Sequence, residues 1–343
     1  KTGDGKISNC YAIADVSASL SYAGGVCGRN NSSLVEYCYS SGAVTVPGSG
    51  YVYDPVCFNE LGTSNYCYYN SELCGSGNLY GGGVTTNTGL TAQELCSSLP
   101  AGFSDVWTVG SYTVGEPDGK LREDSYTYPR FKDRKAYSVE NEKRYDFGIE
   151  GKHDWQAYTL ITTADEFADI GSDSASWAKN YVLGADIDLG SAAVVPIGSF
   201  STDFTGRFSG DGHLIKNVYC PLFYGNSGII EHLTIESGSI SCRPSAGSIC
   251  VDNKAKGIIY CCGNNADVTA EGGSENNSDD VAGGIAAHNE GRISNCYNTG
   301  SVSSQAAAGG ICAENTGTIE YCYNVGLVSG TENADTICYR NYG

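Results

Sequence analysis

Methionine is absent from this 343-residue chain, and histidine occurs only four times. Positive charge is scarce: 20 Lys and Arg stand against 39 Asp and Glu, a formal net charge of −19. That balance argues against nucleic acid or anionic lipid as a main partner, because both reward clustered Lys and Arg. No apolar run reaches the ~18 residues of a membrane span, so no membrane insertion is expected. His153, His232 and His288 lie far apart and suggest no metal set. Neither a Walker A motif nor a nucleophile elbow occurs.

What is abundant points elsewhere. Glycine (46), tyrosine (25), Ser, Asn, Thr and Val favour extended strands joined by turns. Apolar residues at 41% fit a folded chain. Sixteen cysteines, an even number, favour an oxidising, extracellular setting with disulfides. The other reading is a set of buried free thiols acting as small apolar side chains. The chain begins at Lys1, which reads as a mature product or an excised piece.

Three stretches align without gaps at their start: "AGGVCGRNNSSLVEYCYSSGAVTV" from Ala23, "AGGIAAHNEGRISNCYNTGSVSS" from Ala282 and "AGGICAENTGTIEYCYNVGLVSG" from Ala308. Weaker copies begin at Asp54 and Gly247. Ile285, Ile311 and Ile337 follow one another at intervals of 26 residues. Each unit holds short β-rich pieces punctuated by Gly and Asn, with no helical period. A unit this small cannot bury an apolar face alone, so it must stack on its neighbours. A coil of strands does this, with equivalent residues pairing at ~4.8 Å. The expected fold is an all-β, right-handed parallel β-helix, a solenoid with short capping helices. Ile285, Ile311 and Ile337 would form an interior ladder, and Asn289, Asn315 and Asn341 another at a corner. A propeller fits less well, since a blade needs ~40 residues.

The pattern GGI-x-x-x-N-x-G-x-I-x-N-C-Y-N-x-G-x-V resembles the GLUG repeat of bacterial surface proteins, a group that includes adhesins and large cell-wall-linked repeat proteins. It is carried by Gly283, Gly284, Ile285, Gly291, Ile293, Cys296 and Val302, and again by Gly309, Gly310, Ile311, Gly317, Ile319, Cys322 and Val328. Cysteine at 27, 57, 250, 312 and 338 departs from the Val common there. The resemblance implies a bacterial cell-surface location and brings no catalytic residues with it. "NYVLGADIDLGSAAVVPIGSF" and "FTGRFSGDGHLIKNVY" resemble the entry segment of such β-helices. Before them, Thr163 and Glu166 form a capping box, Phe167 and Ile170 share a helix face, and Gly171 is expected to stop the helix. Thr91 and Glu94 repeat the box, with Pro100 as terminator.

The resulting order is inverted. Rungs occupy 1–84 and a closing cap 85–135; after a polar connector, 136–154, come an opening cap, 155–185, and rungs again, 186–343, ending mid-rung. "ICYRN" at the C-terminus aligns with "ICAEN" at Ile311, and "KTGDGKISNCY" at the N-terminus supplies the strand that should follow. Lys1, Ile7, Cys10, Tyr11, Ile337, Cys338, Asn341 and Gly343 therefore form an assembly junction. A tandem array, or subunits stacked head to tail into a filament, is expected ahead of a circular permutation whose connector returns along the outside. The partners would be copies of the chain itself, with host or cell-wall glycans second.

Spacing pairs the cysteines as Cys27–Cys38, Cys57–Cys67, Cys250–Cys261 and Cys312–Cys322, with Cys338 bonded to Cys10 of the next unit. Cys74–Cys96, Cys220–Cys242 and Cys262–Cys296 take the remainder, unless the thiols stay reduced in a stacked ladder. Tyr11, Tyr39, Tyr68, Tyr297 and Tyr323 would form an aromatic column, either a glycan-facing stripe or cross-strand packing. A polysaccharide-degrading enzyme is the third possibility. Its candidate residues, Asp186 and Asp188 on one strand face and Asp211 with His213 in "SGDGH", read better as turn and entry-strand residues. No catalytic residue, metal site or cofactor is expected. Ca²⁺ at "TGDGK" (Thr2–Lys6) or "ENNSDD" (Glu275–Asp280) lacks the full ligand spacing.

Overall fold

A computed structural model of the chain describes residues 5–18, 22–46, 52–73, 84–91, 94–95, 99–103, 107–108, 130–131, 158–190, 192–272 and 280–342. In them the chain winds as an all-β parallel solenoid. One rung runs through Val302–Ser304, Ala307–Gly309, Cys312–Asn315, Thr318–Glu320 and Tyr323–Asn324. The next begins at Val328–Gly330, and each strand pairs in register and in parallel with its successor: Val302 with Val328, Ala307 with Asn333, Cys312 with Cys338.

In-register stacking turns the sequence repeat into columns. Ile230, Ile259, Ile293, Ile319, Ile7 and Val35 line one wall, all fully buried. Val268, Val302, Val328 and Val16 line a second. The predicted Ile285, Ile311, Ile337 ladder is present and continues into Val26 and Val56. The Ile285 N–H donates to Ile311 O at 2.9 Å, Ile311 N–H to Ile337 O at 3.0 Å, and Val26 N–H to Val56 O at 2.8 Å. Each such aliphatic side chain contributes roughly 1.5–3 kcal/mol when fully buried.

Corners are made in two ways. Between the two strands of the longest sheet, one residue per rung takes the left-handed conformation: His232, Cys261, Asn295, Tyr321, Asn9, Tyr37 and Tyr66, with φ between 50 and 56°. Asn suits that region; Tyr, His and Cys are held there by the ladders on either side. The other corner is filled by buried asparagines. Amide donates to carbonyl along Asn226, Asn253, Asn289, Asn315 and Asn341 at 2.6–2.8 Å, then from Asn341 to Asn30 at 3.4 Å and from Asn30 to Asn59 at 2.7 Å. These amides also reach corner carbonyls, such as Gly291 O and Thr318 O from Asn289.

The two chain ends share a rung. Cys338–Tyr342 lies between Cys312–Asn315 and Cys27–Asn31, and Lys6–Ser8 lies between Thr318–Glu320 and Leu34–Glu36. The junction expected between copies is thus closed within one chain, in the permuted arrangement. The reason is reach. Nine rung steps at ~4.8 Å separate the Thr63–Asn70 rung from Tyr158–Ile161, about 43 Å. A chain of 26 residues, the number between Phe131 and Tyr158, can reach at most about 85 Å. Lys1, Gly343 and the connector 136–154 lie outside the described residues.

Both capping boxes form, and the end of the first helix differs from expectation. Thr163 and Glu166 form the reciprocal box, and Phe167 and Ile170 are buried. Gly171 does not stop the helix, which runs Ala164–Ser172. A Cβ on Gly171 would lie 2.3 Å from the Val195 carbonyl, so close packing explains the glycine. At the other end the Thr91–Glu94 box also forms, and Leu95 is fully buried beside Tyr39 and Tyr68. Val84–Leu90 and Tyr158–Ile161, which fall at the edges of the cap segments, pair as strands of the main sheet.

Replacing Asn289 with Ala removes the link between Asn253 and Asn315 and leaves both buried amides short of a partner. Loss of about 2–3 kcal/mol in urea unfolding is expected; a change below ~0.5 kcal/mol would show that the asparagine column is not stabilising.

Candidate functional site

The junction rung is the site the sequence singled out. Ile7 is buried between Ile319 and Val35, and Tyr11 stacks between Tyr323 and Tyr39, with centroids at 5.1 and 5.5 Å. Cys338 sits between Cys312 and Cys27, its N–H donating to Val26 O at 3.0 Å. Asn341 carries the asparagine column across.

Sequence reasoning missed the polar groups that bridge the same rung. Asp335 is fully buried, and its carboxylate accepts from the Gly24 N–H at 2.5 Å. A Cβ on Gly28 would sit 2.0 Å from that carboxylate, which explains a glycine there. Asn333 accepts from the Tyr22 N–H at 3.1 Å, and Thr336 donates its hydroxyl to Gly25 O. The available signal was Asp335 standing where the neighbouring rungs carry Gly283 and Gly309. Burial pushes the Asp335 carboxyl well above its ordinary range, against the pull of the Gly24 and Gly28 N–H groups. Asp54, two rungs on, is pushed up to about 6 by burial, although it accepts from Val56, Cys57 and Asn87.

All fourteen cysteines among the described residues are free thiols. The pairs Cys27–Cys38, Cys57–Cys67, Cys250–Cys261, Cys312–Cys322 and Cys10–Cys338 are therefore not disulfides here, nor are Cys220–Cys242 and Cys262–Cys296; Cys74 and Cys96 lie outside the described residues. The reason is direction. One column runs Cys262, Cys296, Cys322, Cys10, Cys38, Cys67, and each thiol donates to the carbonyl two residues before it, at 3.2–3.4 Å. In the other, Cys312 and Cys338 donate to Glu314 O and Arg340 O, two residues after them, at 3.2 and 3.3 Å. Burial raises the thiols of Cys38, Cys296, Cys312 and Cys338 far above their ordinary value, which keeps them protonated and inert.

The tyrosine column forms, but its ring faces are used. Tyr297, Tyr323, Tyr11 and Tyr39 stack within 4–12° of parallel. Tyr68 instead meets Phe103 edge-on at 5.6 Å and donates its hydroxyl to Ala101 O at 2.8 Å. A sugar stacks on an open ring face, and the faces within this column meet one another. An open aromatic lies elsewhere: Phe200 is 88% exposed beside a groove of about 240 Å³ lined also by Tyr224, Arg243, Asp252, His288 and Glu314. Asp252 accepts from Lys254 at 2.9 Å and lies 2.9 Å from His288 Nδ1. Burial pushes its carboxyl up, yet those two partners hold it below the ordinary value.

The enzyme candidates serve local structure. His213 meets Asp186 at 3.3 Å. Asp186 accepts from the Leu214 N–H, which with His213 and Lys216 lowers its pKa. Asp188 accepts from Asn217 at 2.8 Å and from the Gly190 N–H at 2.9 Å. Asp211 occupies a left-handed turn position, φ 47°. Among the described residues no group of three or more His, Cys, Asp or Glu could hold a metal. Thr2–Asp4 and Glu275–Asp279, most of the two Ca²⁺ candidates, lie outside them.

Residues 281–303 match the family model of the GLUG motif. A 144-residue stretch is 26% identical to halomucin of Haloquadratum walsbyi, covering 39% of this chain; the chain spans about 2% of that relative's length. Among solved structures, one named as an immunoglobulin A1 protease from Bacteroides ovatus is 20% identical, with a TM-score of 0.36, over 52% of this chain and 84% of that one.

The buried Asp54 carboxyl makes stability depend on pH. The folded chain holds this proton more tightly than the unfolded chain, whose carboxyl has the ordinary value of 3.8. The associated stabilisation is complete below about pH 4 and is lost as pH rises through about 6. Asp54→Asn keeps an acceptor oxygen without the charge. Relative to wild type it should gain up to ~3 kcal/mol in urea unfolding between about pH 4 and pH 7; parallel pH profiles for the two proteins would contradict the burial argument.

Proposed function

We propose that this chain is a structural module of an extracellular bacterial surface repeat protein or adhesin, a stiff β-helical segment that holds or spaces other parts of the surface. The observation that carries this reading is the unbroken parallel stack from Tyr158–Ile161 to Val84–Leu90, which continues across the junction of the two halves. Eleven stacked strands in that sheet make a rod about 48 Å long at ~4.8 Å per step. The GLUG motif and the stretch similar to halomucin support placement at the cell surface. The role is mechanical rather than catalytic: the carboxylates at Asp186, Asp188 and Asp252 hold turns or ion pairs. Glycans are the partner class proposed for the groove beside Phe200, where an open ring face lies next to hydrogen-bonding side chains.

Protease treatment of intact cells that make the protein should release its peptides into the medium before any cytosolic marker appears. Peptides recovered only after lysis would contradict the surface assignment.

A further inference from the structure

We propose that the junction between the two halves of the solenoid is exchangeable, so that residues 5–46 of one copy complete the rung begun by residues 333–342 of another. The partner is a second copy of this chain, and the proposal rests on the structural-module reading above.

The contacts that close the junction involve no peptide bond between the halves. They are five parallel ladders: Lys6–Ser8 on Thr318–Glu320, Tyr11–Ala12 on Tyr323–Asn324, Val16–Ala18 on Val328–Gly330, Tyr22–Gly24 on Asn333–Asp335, and Cys27–Asn31 on Cys338–Tyr342. Each ladder is the same whether the two strands belong to one chain or to two. Opening the junction would expose fully buried Ile7, Ile319, Ile337 and Val26 together with unpaired strand edges. An opened half therefore re-pairs, either with its own partner half or with that of a neighbour.

Three observations make this the weak step of the stack. The asparagine column is tight on both sides, at 2.7 Å, but spans 3.4 Å from Asn341 to Asn30. The second column, Asn264 to Asn298 to Asn324 at 2.7 and 2.8 Å, ends against Ala12. Arg340 and Arg29 stand directly opposite each other in register, and like charges so placed repel. Each turns to its own half instead: Arg340 to Glu314 at 3.0 Å and Arg29 to Glu60 at 2.7 Å.

Closure within one chain is an intramolecular event, so the monomer prevails when dilute and exchange grows with concentration. An exchanged contact is heterologous: the 158–342 half of each copy receives the 5–103 half of the next. Such contacts build rings or open chains.

Two variants and a concentration series test this by light scattering after size separation. Replacing residues 104–157 by eight residues leaves a reach of about 28 Å, short of the ~43 Å return path. This variant should be assembled almost entirely into multimers where wild type is monomeric, a rise in multimer fraction of at least tenfold. A folded, monomeric shortened variant would overturn the proposal. The second variant is permuted: it starts at residue 158, runs through Gly343 directly into Lys1, and ends at residue 103. It seals the junction covalently and should stay monomeric at concentrations where wild type forms multimers. Multimers of this variant at wild-type level, or wild type that stays monomeric into the millimolar range, would likewise overturn it. None of these outcomes depends on where the protein resides in the cell.

Discussion

Backbone hydrogen bonds between in-register parallel rungs are the constraint on which everything else in this protein depends. They are indifferent to which rungs are joined covalently. Ile311 donates to Ile337 along a continuous chain, while Cys338 donates to Val26 across the two chain ends, and both bonds are 3.0 Å long. Once the rungs are in register, every side chain meets its equivalent above and below. The interior is therefore a set of columns, and each column must satisfy its own chemistry.

Three columns do so differently. Aliphatic residues simply pack. Asparagines donate and accept along the axis while bonding the corner carbonyls, so that the amides of the column find their partners within the protein. Cysteines behave as small apolar side chains whose weak donors point at nearby carbonyls. The same geometry explains the tyrosines: stacking at the rung spacing uses their ring faces on one another, which moves any sugar-binding role to isolated aromatics such as Phe200.

Much of this was legible in the sequence. The 26-residue intervals linking Ile285, Ile311 and Ile337 identify a rung, and the alignment of "ICYRN" with "ICAEN" places the chain break inside one. The capping boxes at Thr163 and Thr91 were equally plain. What was hidden has physical causes. Register alone does not distinguish a rung completed by its own chain from one completed by another, because the ladders are identical. Cysteine spacing does not report the direction of a thiol, so a ladder and a set of bridges look alike. Asp335 was marked only by standing in a column whose neighbouring rungs carry glycine, a position that does not by itself report a buried carboxyl, and Gly171 resembled a helix stop when its role is to let Val195 approach.

The central claim is that the strands at Cys338–Tyr342 and Lys6–Ser8 belong to one hydrogen-bonded rung. Amide hydrogen exchange on the dilute native protein tests it most directly. If the claim holds, the amides of Lys6, Tyr11, Cys338 and Asn341 are protected far beyond those of an open chain, and they exchange faster than those of Arg292, Tyr297, Cys312 and Asn315 only through opening of the junction. Exchange in the first group at the rate of an unstructured chain, under conditions where the second stays protected, would contradict it.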